Sequence, residues 1–582
     1  MRIKFFKWKY ILPAVILITS CKKSLDINTD PNNPNPTVIS EKQLLPTAEK
    51  GLSDALTISN GATTSIGIGA GIPGGAPIAG LSDICSVFMH QTIQRSELDQ
   101  YGITGNSFDV QAAWLSFYQS SANNIDIIIK KAEANDNAVY SGIAKVLKAY
   151  AYSQFTDVFG DIPFSEASKL DSGITYPKFD KDADIYPQLF ALLDDGIKDL
   201  QNTSAANPQL PSSDDIIYGG DASLWVKAAN TIKLKLYVQE RLIKDVKSEV
   251  AQLINSGDII SATNESFLFK YGTNGSTDDR NPAFSDYYAT QRNEYIAPWF
   301  YEILKGYNQT VNTGIEDPRI PYYFYNQLTK TSAAQNPTEY RDSAFLSIYF
   351  GSNGPNKDQT QQNSMTVLGI YPAGGRYDEG DATVVSGASG TGAAPYRFIT
   401  YADVLYLKAE SIHAGLISGD ERAVLQQAMQ ESFKQVDYVI NNFVQPGQSV
   451  PALTGTAAVS NYINAVLNEF DAGNANRKLQ IIMTEKWISS FGSAVDAYSD
   501  YRRTGYPVLF NPNDPQMAPN GFVQPPINGD PVLNPGAQPK VPVTLGKSYP
   551  ASLPWYQGEL ETNPNAPAQK TNLSTAKIFW MP

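Results

Sequence analysis

Two stretches of the chain place aromatic rings beside polar side chains in irregular sequence. A flat aromatic face stacks well on the C–H face of a sugar ring, while carboxylate and guanidinium groups bond hydroxyls. We therefore predict a ligand-binding site built from seven side chains of these stretches: Arg95, Asp99, Tyr101, Tyr287, Tyr288, Tyr295 and Trp299. The alternative is structural, since Trp299 would equally begin a helical core with Phe300 and Leu304.

Residues suited to hydrolysis are scarce. The chain has two histidines, His90 and His413, for which a packing or surface role is expected. The run 387–390 (Gly-Ala-Ser-Gly) resembles a nucleophile elbow but places Thr391 where the second glycine is needed. Aspartate and glutamate are numerous enough for a glycosidase pair, yet their spacing does not single one out. These residues do not favour catalysis, and the alternative is an enzyme at the cell surface, a glycoside hydrolase or a peptidase.

Metal and nucleotide sites have little support in the sequence. Asp26, Asn28 and Asp30 put oxygen atoms at alternate positions, as a calcium loop does, but Pro31 replaces the turn glycine and no glutamate stands at the twelfth position. Asn and Asp side chains also cap ordinary turns. We expect no cofactor, and structural calcium at these three residues is the alternative. The G-x-G-x-x-G pattern at 69–74 lacks a preceding strand, which favours a surface loop over a nucleotide site.

The first 20 residues have the layout of a secretion signal. A basic start precedes the apolar run 10–18, which is about half the roughly 20 residues needed to span a bilayer. Residues 18–21 (Ile-Thr-Ser-Cys) resemble a lipobox, so we predict removal of 1–20 and acylation of Cys21. An ordinary cleaved signal and an uncleaved anchor are the alternatives. Residues 21–39, rich in Asn and Pro, are predicted to form a tether that holds the body away from the membrane.

The composition limits the partners and the source of stability. With 58 acidic and 45 basic residues the formal net charge is −13, which repels phosphate backbones, so we predict no nucleic-acid partner. The cysteine besides Cys21 is Cys85, and acylation of Cys21 leaves no intrachain disulfide. The protein must therefore rest on its core. The 33 tyrosines suit sugar or peptide recognition as well as packing.

Apolar periodicity predicts a mainly α fold. Four helical hairpins are predicted: 114–132 with 140–158, 185–200 with 222–254, 401–416 with 423–444, and 459–470 with 478–491. A further helix is predicted over 81–94, and Trp114, Trp225 and Trp487 lie on stripes that read as core. These pairs indicate a tetratricopeptide-like helical-repeat scaffold with few short strands.

The rest of the sequence is irregular. Residues 261–395 are rich in Gly, Asn and Tyr and are predicted to form a long, loop-rich portion, and loops this long are usually functional or specially packed. Residues 505–582, rich in Pro, Asn and Gly, are predicted to wrap the helices as ordered coil. We predict a single domain over 40–582 that includes both segments.

Five separated stretches resemble, in order, one protein family. They are 25–32 in the tether, 155–167 at the end of a hairpin, the Glu-Asp-Pro-Arg-Ile-Pro run at 316–321, and the stretches 399–410 and 485–507. Together with the lipobox-like start, they are similar to the SusD-like branch of the SusD/RagB family of Bacteroidetes outer-membrane lipoproteins. The resemblance covers essentially the whole mature chain.

The resemblance implies a lipid-anchored, surface-exposed protein of the outer membrane that binds nutrient without catalysis. It implies an oligosaccharide ligand, with a peptide as the alternative, and a SusC-like TonB-dependent transporter as the partner that receives it. In the implied fold the helical repeats face the transporter and the loop-rich portion carries the ligand site. The ligand residues of the family are not part of the shared stretches, so none is assigned here. A helical-repeat adaptor without a small ligand is a further alternative.

Overall fold

The computed structural model describes residues 39–63, 77–95, 100–275, 279–289, 292, 294–445, 447–526 and 538–582. Several sequence predictions lie outside these residues: the signal peptide 1–20, most of the tether, acylation of Cys21, the calcium candidates Asp26, Asn28 and Asp30, the site residue Asp99 and the glycine-rich run 69–74. They therefore stay predictions. None of the helices in the described ranges combines the length and apolar content that crossing a membrane requires.

Helices dominate the first half of the described chain. They are α1 Glu41–Leu56, α2 Leu81–Phe88, α3 Phe108–Leu115, α4 Asn123–Ala134, α5 Ala138–Phe159, α6 Asp182–Leu200, α7 Ala222–Glu240 and α8 Lys247–Ser256. A π-helical segment, Ser116–Ala122, joins α3 to α4. The two predicted hairpins of this half are confirmed, because α4 packs on α5 and α6 packs on α7.

Two helices are shorter than predicted. The prediction of a single helix over 222–254 is wrong. Helix α7 ends at Glu240, and a second helix, α8, begins at Lys247, whose N–H donates to Asp245 at 3.2 Å. The prediction of a helix over 81–94 is also wrong, because the helix ends at Phe88. There His90 adopts a left-handed φ of 55°, which a continuing helix does not allow, and the chain turns into a strand.

Residues 261–395 form the predicted loop-rich portion, with the short helices α9 Pro282–Ala289, α10 Pro298–Leu304, α11 Ile320–Tyr323 and α12 Ile370–Ala373. The strands of the described chain are equally short: β1 Asn60–Thr63, β2 Pro77–Ala79, β3 Thr92–Gln94, β4 Ile162–Pro163, β5 Phe179–Asp180, β6 Phe267–Phe269, β7 Glu294–Ile296, β8 Phe324–Tyr325, β9 Tyr340–Asp342, β10 Phe345–Ser347, β11 Val367–Leu368, β12 Tyr396–Ile399, β13 Phe522–Val523 and β14 Val541–Pro542. They form antiparallel pairs: β1–β2, β3–β7, β4–β5, β6–β12, β8–β11, β9–β10 and β13–β14. The prediction of few short strands is confirmed.

The helical scaffold resumes after residue 400 with α13 Tyr401–His413, α14 Glu421–Phe443, α15 Ala457–Ala472, α16 Ala475–Ser489 and α17 Val495–Thr504. Polar caps set where these helices begin. Thr400 and Asp420, for example, each accept an N–H from the first turn of the following helix. The predicted hairpins are confirmed, since α13 packs on α14 and α15 packs on α16. The fold is mainly α, as predicted.

The C-terminal residues wrap around the helices and close over the end of α5. The Leu553 N–H donates to the Val158 carbonyl at 2.9 Å, and the Trp580 indole donates to Asp157 Oδ1 at 2.8 Å. Between them lies the short helix α18, Gln557–Thr562, followed by Lys570, whose ammonium donates to the carbonyl of Phe159 at 2.6 Å. The C-terminal residues named here therefore pack on the end of α5.

Buried hydrophobic side chains from Leu44 to Trp580 form one contiguous cluster. Trp114, Trp225 and Trp487 lie within it at 2%, 0% and 0% exposure, which confirms their predicted core role. The cluster therefore draws on the helices, the loop-rich portion and the C-terminal residues alike.

Buried ion pairs join the stretches that carry the family resemblance. Arg503 donates to Glu410 through two guanidinium nitrogens, linking α17 to α13. Arg319 Nε donates to Asp317 at 2.9 Å, and Arg319 Nη2 lies 3.4 Å from a carboxylate oxygen of Glu485 on α16. All five side chains are buried. These residues fasten elements of the scaffold to one another, which gives them a structural role.

Candidate functional site

The pairing of β3 with β7 brings the two predicted ligand-binding stretches together. Ile93 faces Tyr295, and Gln94 faces Glu294, across an antiparallel ladder. Arg95 directly follows β3, is half-buried, and its positive charge acts on the Tyr295 hydroxyl. The sequence presented these stretches as two separate places, and the structure makes them neighbours.

The four predicted tyrosines of the site lie in the core. Their exposed fractions are 7% for Tyr101, 1% for Tyr287, 2% for Tyr288 and 0% for Tyr295. Tyr288 and Tyr295 donate their hydroxyls to backbone carbonyls at 2.7 and 3.0 Å. Burial accordingly raises the pKa of both hydroxyls. These four rings pack in the core, as the structural alternative expected. That they also touch a ligand stays a prediction.

Trp299 is more accessible than these tyrosines. Helix α10 buries most of its side chains but leaves Trp299 and Glu302 half-buried. Because they are three residues apart, both lie on the same face of the helix. The indole N–H donates to the Val508 carbonyl at 3.0 Å, and the ring packs against Phe510 with centres 5.8 Å apart. Trp299 is therefore held in one orientation with part of its surface open.

Partly exposed side chains continue past the end of the helix. Lys305, again three residues on, places its ammonium 2.6 Å from Glu316 and 5.9 Å from the ring centre of Tyr307. Tyr307 is 45% exposed. We call Trp299, Glu302, Lys305 and Tyr307 the α10 face. Of these four residues, Trp299 was predicted from the sequence, and the three-residue spacing of 299, 302 and 305 was the signal for Glu302 and Lys305.

Glu302 gives the α10 face its electrostatic character. Burial raises the pKa of Glu302 to about 7, and the neighbouring Asp342 carboxylate adds to this, against the lowering effect of the Tyr340 hydroxyl 3.2 Å away. Its carboxyl group therefore changes between hydrogen-bond donor and acceptor near neutral pH. The Glu302 charge acts on the Tyr307 hydroxyl, and Trp299 precedes Glu302 by about one helical turn, so the face offers aromatic rings and a carboxyl group to a ligand that carries hydroxyl groups.

An aromatic box around His90 supports this face from the core side. The Nε2 atom of His90 lies 2.7 Å from the Tyr101 hydroxyl, and its ring centre is 3.9 Å from that of Phe350 and 6.3 Å from that of Phe510. Burial lowers the pKa of His90 to about 3, so the ring stays neutral. Since Phe510 also packs on Trp299, His90 has the packing role expected from the sequence.

A polar pocket lies among α5, α13, α16 and α17, and its lining includes Asp403, Lys486 and Asp496. Gln154 donates to Asp496 at 3.1 Å, and Lys486 lies 2.7 Å from Asp500. The charged groups of this pocket are thus already engaged with one another. It belongs to the ion-pair network of the scaffold, and we assign it no ligand.

Metal-ligating side chains do not converge in the part of the chain that the structure describes, where no group of three or more His, Cys, Asp or Glu could hold a metal ion. The calcium candidates Asp26, Asn28 and Asp30 fall outside that part. The expectation of no cofactor accordingly stays a prediction.

Comparison with known proteins identifies the fold and the family. No curated protein matches the chain. Among solved structures, a SusD/RagB family protein from Bacteroides thetaiotaomicron has a TM-score of 0.61 at 18% identity, with 93% of this chain and 99% of that chain covered. A SusD homologue from Bacteroides fragilis has a TM-score of 0.58 at 19% identity, covering 90% and 94%. A chitin-binding protein has a TM-score of 0.59 at 18% identity, covering 86% and 94%.

At identities this low, the solved structures establish the fold of this chain but not its ligand or its activity. The family assignment rests on the sequence, where the model of a SusD-like family, described as starch-binding and associating with the outer membrane, matches residues 80–525. This range includes four of the five stretches that suggested the resemblance. The recognition made from the sequence is thereby confirmed: the chain belongs to the SusD-like family.

Proposed function

We propose that this chain captures oligosaccharides through the α10 face. The observation that carries the proposal is the half-buried Trp299, fixed by its 3.0 Å bond to the Val508 carbonyl and flanked by Glu302 on the same helix face. A ring already held in place loses little conformational entropy when a sugar stacks on it. The family description names starch, and one structural relative is described as chitin-binding, so both point to glycans.

We place this activity at the outer membrane, on the cell surface, with the protein anchored by lipid on Cys21. The family description of outer-membrane association and the lipobox-like residues 18–21 support this location. A glycan captured outside the cell needs a route through the membrane, and a SusC-like TonB-dependent transporter is the proposed partner. Co-purification of the native protein with a barrel protein tests the partnership, and recovery without one contradicts it.

Isothermal titration of the purified mature protein against panels of oligosaccharides and peptides tests the ligand class. We expect at least one oligosaccharide to bind and the peptides not to bind. Binding of peptides alone would favour the peptide-binding alternative. An absence of binding across both panels would contradict capture of either ligand and favour a purely structural adaptor.

A surface glycoside hydrolase is the second candidate, and Glu302 is the observation that favours it. An acid with a pKa of about 7 near a second carboxyl group, that of Asp342, resembles the acid–base pairs of glycosidases. The hydroxyls of Tyr340 and Tyr301 already donate to these two carboxyls, at 3.2 and 2.8 Å, which suits fixed binding groups better than reacting ones. We expect no release of sugar from a labelled glycan. Turnover that disappears in Glu302→Gln would establish the hydrolase instead.

A further inference from the structure

Carboxyl groups surround the most exposed ring of the α10 face. Tyr307 is 45% exposed, and its hydroxyl is hydrogen-bonded to Asp342. Burial, and then the carboxyl groups of Asp342, Glu316 and Glu302, raise the pKa of Tyr307 to about 12. These acids come from β9, from the segment after α10 and from α10 itself. A ring that a ligand can reach therefore lies in the field of three carboxyl groups.

The ionised form of Glu302 is not matched by a positive charge of the chain. Burial, and then Asp342, raise the pKa of Glu302 to about 7, and none of the groups that set this pKa is a cation. Lys305, the ammonium of the α10 face, lies 2.6 Å from Glu316 instead. Between residues 64 and 537, the segments outside the described ranges contain no lysine or arginine. A ligand can therefore supply the counter-charge of Glu302.

Lys305 shows how this face holds an ammonium group. Its Nζ atom lies 2.6 Å from Glu316 and 5.9 Å from the ring centre of Tyr307. A carboxylate and an aromatic ring at such distances both attract a cation, the first through its charge and the second through its π face. Glu302 offers the same two elements, since it shares a helix face with the fixed indole of Trp299 and acts on Tyr307.

We propose that the α10 face prefers oligosaccharides that carry free amino groups, with a protonated sugar amine beside Glu302 and sugar rings against Trp299 and Tyr307. This inference rests on the proposed capture of oligosaccharides by the same face, and it names the class of sugar. The amine donates to the carboxylate in a bond between two charged groups, which is stronger than the bond from a neutral hydroxyl.

Other observations favour an organic cation as the ligand. The formal net charge of −13 attracts cationic ligands and repels anionic ones, such as oligomers of uronic acids. A metal ion fits the face less well, because in the described ranges no group of three or more His, Cys, Asp or Glu side chains could hold one. The carboxyl groups of the α10 face are instead interleaved with aromatic rings, which suits an ammonium group on a sugar.

Isothermal titration at pH 7 with a glucosamine trimer, and with the glucose trimer of the same linkage, tests the inference. The two ligands differ by an amine in place of one hydroxyl on each ring. We expect the glucosamine trimer to bind about tenfold more tightly, which is in the range for adding charge to a hydrogen bond. Sodium chloride at about 0.5 M should reduce this ratio, because it screens charges at a partly exposed site. Equal affinities, or a ratio that salt leaves unchanged, overturn the inference.

The same titrations separate this inference from the proposed function. If neutral oligosaccharides bind and the glucosamine trimer binds no better than the glucose trimer, the preference for amino sugars is wrong while capture of glycans stands. If no oligosaccharide binds, whether charged or neutral, the proposed function is wrong and the inference is wrong with it.

Variants identify the carboxyl group responsible. Glu302→Gln keeps the shape of the side chain without its charge and should lower the affinity ratio of the two trimers to about one. Tyr307→Leu removes the exposed ring and should also lower the ratio, which provides the test if Glu302→Gln does not fold. Glu133→Gln, on α4 at a side chain 56% exposed, is the control and should keep the wild-type ratio. A wild-type ratio in Glu302→Gln, or in Tyr307→Leu where that variant replaces it, overturns the inference.

Discussion

Arg503 and Glu410 form a buried, two-pronged ion pair: Nη1 and Nη2 of the guanidinium both donate to the carboxylate, and the side chains are 0% and 1% exposed. Arg241 adds a second guanidinium 2.8 Å from the same carboxylate. Burial alone would raise the pKa of Glu410, but Arg503 and Arg241 hold it at about 2. One carboxylate thus ties α7, α13 and α17 together.

Replacing Arg503 by Met should lower the free energy of unfolding by about 3–5 kcal/mol, because Glu410 keeps its burial and loses its main counter-charge. Urea denaturation at neutral pH measures the loss. The exposed pair of Lys130 with Asp171, at 74% and 55% side-chain exposure, supplies the control. Lys130→Met should leave the free energy of unfolding almost unchanged, because an exposed ion pair contributes little to stability. Equal losses in the two variants would contradict a structural role for the buried pair.

Replacing Trp299 by Ala should weaken oligosaccharide binding by about 1–3 kcal/mol if the ring is a stacking platform. Titration calorimetry, with an oligosaccharide that binds the wild type, measures this change in binding free energy. Tyr176, which is 49% exposed and not part of the α10 face, offers a matched control. Tyr176→Ala should leave the affinity unchanged. Unchanged affinity in Trp299→Ala would remove this ring from the site.

The affinity for a neutral oligosaccharide should rise as pH passes through about 7, the pKa of Glu302. Above this pH the ionised carboxylate accepts hydroxyl bonds with the added strength of its charge. The stability contribution has the opposite sign: a raised carboxyl pKa stabilises the fold at low pH, and this is lost between its ordinary value of 4.5 and about 7. Glu302→Gln should remove the change near pH 7 from both the affinity and the free energy of unfolding. A binding profile that keeps its midpoint in this variant would assign the effect to another group.

Burial lowers the pKa of Lys570 to about 7, so the folded protein binds fewer protons there than the unfolded chain between that pH and the ordinary 10.5. Stability must therefore rise with pH across this window, by up to about 1.4 kcal/mol per pH unit. Urea titrations of the wild type and Lys570→Met at pH 7, 8 and 9 test this. The free energy of unfolding of the wild type should rise relative to that of Lys570→Met as pH rises. Parallel profiles would show that Lys570 keeps an ordinary pKa.

Replacing Cys21 by Ser should abolish lipid attachment and release the protein from the membrane fraction. Mass spectrometry of the mature N-terminus of the wild type should find an acylated Cys21 as the first residue. Cys85, the remaining cysteine, is buried, and Cys85→Ser should leave the protein in the membrane fraction. An unmodified Cys21, or cleavage at another position, would contradict the proposed anchor.

Periodic apolar stripes were sufficient to predict the helical scaffold. Trp114 and Trp225 are buried as expected, on helices α3 and α7 that bury most of their side chains. The helix predicted over 81–94 failed at His90, whose left-handed backbone is held by contacts with Tyr101 and Phe350 that are distant in sequence. Local patterns carry no information about such contacts.

The candidate site was harder to predict for the same reason. Tyr295 and Trp299 are four residues apart and have similar chemistry, yet one is wholly buried and the other is half-exposed. The difference arises because β7 pairs with β3, which draws Tyr295 inward, while α10 turns Trp299 outward. The composition of the sequence identified the stretch that contains both residues. Only the tertiary pairing of β7 with β3 distinguishes the accessible Trp299 from the buried Tyr295.

The hydrogen bond from Trp580 to Asp157 spans 423 residues of chain. The end of α5 is therefore closed only when a residue very distant in sequence has packed against it. Removal of the Trp580 ring takes away this wall and leaves Asp157 without its indole donor, which opens the end of α5 to solvent and to proteases.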